Sequence, residues 1–116
     1  MITTKEKLIS EVQLALQEER YNDALNFSNQ LIRDFNDDDQ SYLMLGDVYL
    51  KMGNVSKAIA FYEKALEINP GYAISYFKLG NAYEMEDNPQ AALNQYQTAA
   101  MLEPANYEYK GSVGNL

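Results

Sequence analysis

The 116-residue sequence contains no cysteine and no histidine. Those two absences exclude disulfides, thiolate nucleophiles, imidazole bases and the zinc sites that need either ligand. Positive charge is scarce as well, with 9 Lys and Arg against 17 Asp and Glu, a formal net charge of -8. Such a chain repels phosphate backbones and anionic bilayers, which argues against nucleic acid and membrane surfaces as partners. The start, Met1 to Lys7, lacks an apolar signal-like core, and no later stretch approaches the roughly eighteen consecutive apolar residues of a membrane span. The expectation is a soluble, cytoplasmic chain, with which the missing cysteine agrees. No glycine-rich phosphate loop or nucleophile elbow is present, since Gly46 and Gly80 fall inside helical patterns. Asp37, Asp38 and Asp39 lack the glycine and distal glutamate of a calcium loop, and read as a solvated turn whose Asp39 caps the next helix. The expectation is a protein that is not an enzyme and takes no metal or cofactor.

What the chain does contain is regularity. With 47% hydrophobic and 22% charged residues it has the composition of a folded domain rather than an acidic tail, and its length suits one continuous core. Ala24, Ala58 and Ala92 are spaced by 34 residues, and the same step carries Tyr42 to Tyr76, Leu45 to Leu79, Gly46 to Gly80 and Tyr49 to Tyr83. It also carries Tyr62 to Tyr96, Ala65 to Ala99 and Pro70 to Pro104. Within one period, Tyr42, Leu45, Gly46 and Tyr49 fall on one helical face, and Ala58, Tyr62, Ala65 and Leu66 on another. Gly46 and Ala58 are small where two antiparallel helices would approach, with tyrosines filling the space around them. Met52-Gly53-Asn54 supplies the turn, and Asn69-Pro70-Gly71 ends the second helix because proline disfavours helix before it. In the third period Asn88 and Pro89 form a capped helix start.

These residues resemble the tetratricopeptide repeat, a pattern of an aromatic, then x-x-Leu-Gly-x-x-Tyr, then Ala-x-x-x-aromatic, then Pro. Tyr42 to Pro70 meets it, and Tyr76 to Pro104 meets it again, with tyrosine where the family often has tryptophan. The resemblance implies an all-α, right-handed superhelical solenoid of three helix hairpins plus a short C-terminal segment. The expected divisions are 5–38, 39–72 and 73–106, with 107–116 as a partial fourth repeat or closing segment. The first is degenerate, with Leu8 at the aromatic position, Asn36 replacing proline and Thr3-x-x-Glu6 as its capping box. In the tail, Val113, Gly114 and Asn115 follow Leu79, Gly80 and Asn81 by 34 residues, so the chain is expected to be a fragment of a longer array.

In that family the first helix of each repeat lines a concave groove, faced by the second, fifth, ninth, twelfth and thirteenth positions. By resemblance these positions supply the candidate peptide-binding residues Ile9, Gln13, Leu43, Asp47, Leu50, Lys51, Ile74, Phe77, Asn81 and Glu84. Their apolar members exceed what a groove exposed only to water should carry, although Leu43 and Phe77 would serve equally well as packing between helices. Asp47 and Asn81, at the ninth position, have no evident core role and could hydrogen-bond a partner's backbone. The family's cationic clamp for an acidic chaperone tail is missing, because its positions hold Ile9, Gln13, Met44, Ile74 and Lys78, of which only Lys78 is charged. The expected function is a scaffold that binds a peptide or partner protein on its concave face, with net charge favouring basic flanks. The alternative is a homo-oligomer stacked through uncapped ends.

Overall fold

In the computed structural model, which describes residues 4–114, seven helices follow one another without a strand among the described residues. They are α1 (Lys5–Gln17), α2 (Tyr21–Asp34), α3 (Asp39–Lys51), α4 (Val55–Ile68), α5 (Ala73–Met85), α6 (Pro89–Leu102) and α7 (Tyr107–Gly114). Helices α1/α2, α3/α4 and α5/α6 form antiparallel hairpins, each stacking on the next, and α7 closes against α6. The result is a right-handed superhelical solenoid with extents of 46 × 26 × 21 Å.

Each hairpin is folded by the same local device. At the end of the first helix a residue enters the left-handed region, at Glu19 (φ 59), Gly53 (φ 86) and Asp87 (φ 59). The following amide then reaches back, Arg20 to the Ala15 carbonyl, Asn54 to Tyr49 and Asn88 to Tyr83, satisfying carbonyls that the helix end leaves open. The second helix starts on a side-chain cap in two cases, where the Asn54 and Asn88 Oδ1 atoms accept from the amides of Lys57 and Ala91. One expected cap is displaced by one residue. Asp38, not Asp39, caps α3 by accepting from the Gln40 amide, because its extended backbone turns the carboxylate onto the free amides and leaves Asp39 inside the helix. Thr4 caps α1 by accepting from Lys7, while Thr3 lies outside the described residues, as does Asn115.

The hairpins close on glycine, but against a different partner than the small-residue pattern suggests. The surface of Gly46 is covered by the ring of Tyr62 rather than by Ala58: a Cβ at Gly46 would stand 2.5 Å from Tyr62 Cε1. Gly80 and Tyr96 repeat the arrangement, again at 2.5 Å. Both tyrosines are fully buried, so each ring fills the space that the missing side chain vacates. In the first hairpin the equivalent positions are Val12 and Ser28, both fully buried, a larger residue where glycine stood and a smaller one where tyrosine stood. Between hairpins, the Tyr42 and Tyr76 hydroxyls donate to the carbonyls of Asn36 and Pro70, pinning each first helix to the turn before it. These phenols therefore do more than fill volume.

Candidate peptide-binding face

Helices α1, α3 and α5 stand side by side, and three clefts open along them. The first, about 180 Å³, is lined by Ile9, Gln13, Leu43, Ile74 and Lys78 among others. The second, about 230 Å³, brings together Asp47, Leu50, Lys51 and Asn81 with Leu16 and Tyr62. The third, about 210 Å³, lies between α5 and α7 and is lined by Ile74, Phe77, Lys78, Asn81, Glu108 and Tyr109. Nine of the ten candidate residues are thus gathered on one face. Glu84, exposed near the end of α5, lines none of these three clefts.

Their roles divide. Leu43 is 3% exposed and belongs to the core cluster with Ala58, Tyr62 and Leu79, so it is a floor rather than a contact surface. Phe77 is half-buried, with its ring 5.5 Å from that of Tyr96 and 5.0 Å from that of Tyr109. Ile9, Leu50 and Ile74 keep part of their surface open, and Gln13 and Lys51 are exposed.

The expectation that Asp47 and Asn81 have no structural role is overturned. Asp47 Oδ1 accepts from the Tyr62 hydroxyl at 2.6 Å and Oδ2 from the Lys78 ammonium at 2.7 Å. One carboxylate on α3 therefore ties down both its own hairpin partner α4 and the next first helix α5. Asn81 Oδ1 accepts from the Tyr96 hydroxyl at 2.6 Å, which leaves its amide N–H groups available to the groove. Burial first, and then the Asp47 carboxylate that accepts its proton, hold the Tyr62 phenol far above the ordinary tyrosine range. Burial and the Glu84 carboxylate raise Tyr96 in the same sense. A tyrosine fifteen residues after both Asp47 and Asn81 is a recurrence of the 34-residue period, and it is the signal that could have paired them.

Lys78 is the residue that reading by position undervalued. It lines all three clefts, and its side chain is only 24% exposed. The ammonium is held in place by Asp47 and retains donors beyond that bond. The centre of the face is therefore an ion pair between apolar walls, while most of the acidic residues of this chain of net charge -8 sit at turns and on outer faces.

Known proteins share both the pattern and this architecture. The TPR repeat family matches residues 46–86. The chain is a tetratricopeptide-repeat protein. It is similar to the chloroplastic tetratricopeptide repeat domain-containing protein PYG7 of Arabidopsis thaliana, 33% identical over 95 residues, covering 78% of this chain and 32% of that protein. It thus spans about a third of the length of that curated relative. Among solved structures, the Arabidopsis OM64 TPR domain superposes with a TM-score of 0.85 at 22% identity, covering 95% of this chain and 91% of that one. The first TPR of Spaghetti (RPAP3), bound to the HSP90 peptide SRMEEVD, gives 0.84 at 17% identity over 93% and 86% of the two chains. At these identities the two structures establish the fold. No described helix is long and apolar enough to cross a membrane.

Proposed function

We propose that this tetratricopeptide-repeat protein holds a segment of a partner protein on the face formed by α1, α3 and α5, by passive binding and without chemistry. The observation that carries the reading is the meeting of three clefts at Lys78, with apolar walls on either side and hydrogen-bond donors at the centre. A peptide laid across them would place apolar side chains against Ile9 and Ile74 at one end and Leu16 and Leu50 at the other. Its backbone carbonyls would accept from Lys78 and Asn81. A structure of the same fold holds an HSP90 peptide, which supports a peptide as occupant. Here Ile9, Gln13, Met44 and Ile74 surround the single cation Lys78, so the preferred segment is apolar rather than strongly acidic. The acidic surroundings favour basic residues flanking it.

The test is to pan a random peptide library against the chain and map the enriched peptide by chemical-shift perturbation. The expected shifts fall on Ile9, Gln13, Ile74, Lys78 and Asn81, and Asn81→Ala weakens binding about tenfold, the worth of one buried hydrogen bond. Shifts confined to the opposite face, around Tyr49 and Phe61, would overturn the reading.

A further inference from the structure

The cleft between α5 and α7 is the cleft between α3 and α5 moved on by one repeat, and the two differ in charge. Gln40, Leu43 and Ile74 in the earlier cleft become Ile74, Phe77 and Glu108 in the later one, each 34 residues on. A carboxylate thus stands where the preceding repeat has an isoleucine, and because Glu108 repeats the place of Gln40 and Ile74 it stays on the groove side of its helix. The ion pair of the earlier repeat is lost in the same step. Asp47 meets Lys78 across α3 and α5 at 2.7 Å, whereas one period later the corresponding positions hold Asn81 and Ser112, whose hydroxyl turns back to the Glu108 carbonyl of its own helix. Among the described residues no cation forms an ion pair with Glu108. The Lys78 ammonium is taken by Asp47, and that of Lys110, two residues along α7, lies 5.8 Å from the centre of the Tyr107 ring. The cleft, about 210 Å³, therefore has an aromatic floor, with the rings of Phe77 and Tyr109 5.0 Å apart, and an exposed carboxylate on its wall without a counter-charge.

We infer that this cleft seats an arginine or lysine side chain of the bound segment, with its aliphatic stem on Phe77 and its charge on Glu108. The inference rests on the binding face proposed above and gives that segment's basic residue a fixed place. The occupant is argued from charge complementarity: a half-buried aromatic ring beside a carboxylate suits a side chain that is apolar along its stem and cationic at its tip. The molecule already answers its other groove carboxylate, Asp47, with an ammonium from the next helix. At Glu108 the partner supplies it. Lys78, which also lines this cleft, does not oppose a second cation, because Asp47 neutralises it. Glu84, exposed on α5 one turn beyond Asn81, adds negative charge on the same side.

Selecting one random peptide library in parallel on the wild-type chain and on Glu108→Gln tests this, since glutamine keeps the length of the exposed side chain and removes its charge. Peptides from the wild type are expected to share a lysine or arginine at a fixed distance from their apolar residues. Replacing that residue by a neutral one of the same length should weaken binding to the wild type about tenfold. Peptides from Glu108→Gln should keep the apolar residues and lose the fixed basic one, and Glu108→Lys should select an acidic residue in its place. A basic preference undiminished by Glu108→Gln would overturn the inference while leaving the groove intact. So would groove-bound peptides with no fixed basic position. Peptides whose chemical-shift changes fall only around Tyr49 and Phe61 would remove the groove itself, and this cleft with it.

Discussion

Glu19, Gly53 and Asp87 occupy equivalent places in three turns, and all have positive φ, yet only one of them is glycine. An L side chain there is strained by roughly 1 kcal/mol, because its Cβ crowds the backbone carbonyl. Glu19→Gly and Asp87→Gly should therefore each stabilise the fold by about 0.5 kcal/mol, part of the relief being offset by the greater freedom of glycine in the unfolded chain. Thermal melts of the two variants check this, and a lowered melting temperature in both would show that the carboxylates contribute something the backbone geometry does not reveal. These positions also explain what the sequence hid. Met52-Gly53-Asn54 is recognisable as a turn through its glycine, whereas Glu18-Glu19-Arg20 and Glu86-Asp87-Asn88 adopt the same backbone without that marker.

At the scale of the elements, helix pairing was legible because small and aromatic residues recur at one spacing, but the partner of each glycine was not. Spacing locates Gly46 and Gly80 on a close contact; only geometry reveals that the ring lies on the glycine itself. Gly80→Ala should cost about 1–3 kcal/mol, since its methyl must displace a fully buried ring. Combined with Tyr96→Leu, the penalty should be smaller than the sum of the two single changes, a coupling that denaturant titrations of the four proteins would measure. Strict additivity would mean that ring and glycine do not press on one another. The groove was read from helix positions alone, which gathered nine of the ten residues. They could not reveal that the phenols of Tyr62 and Tyr96 engage Asp47 and Asn81 from below, because those contacts come from the second helix of each pair.

For the whole molecule, the two buried phenols set a limit in alkali. Tyr62 and Tyr96 have their pKa raised above the ordinary 10.0 by burial first, so the folded chain retains two protons that the unfolded chain releases. Their contribution to stability is therefore level below pH 10 and falls above it, by up to about 1.4 kcal/mol per pH unit for each tyrosine. Tyr62→Phe should make that slope shallower in melts at increasing pH; an unchanged slope would indicate that its proton is not retained. At the acid end, burial of Asp38 works against its charge, but the Lys5 ammonium and the Gln40 amide outweigh it and hold the carboxyl below its ordinary 3.8. Its contribution is present above that value and is lost as pH falls through the lower folded value.

The bridging carboxylate of Asp47 also makes the solenoid uneven along its length. It latches three consecutive helices with one side chain, while the corresponding places one period earlier hold Gln13, Ser28 and Met44, which form no such latch. Under thermal agitation or a mechanical pull the N-terminal pair α1/α2 should loosen first, and α3 to α5 should yield together. The molecule would then behave as a firm block carrying a detachable lead, and a segment held as proposed, across Ile9 and Gln13, would be released from that end without dismantling the rest.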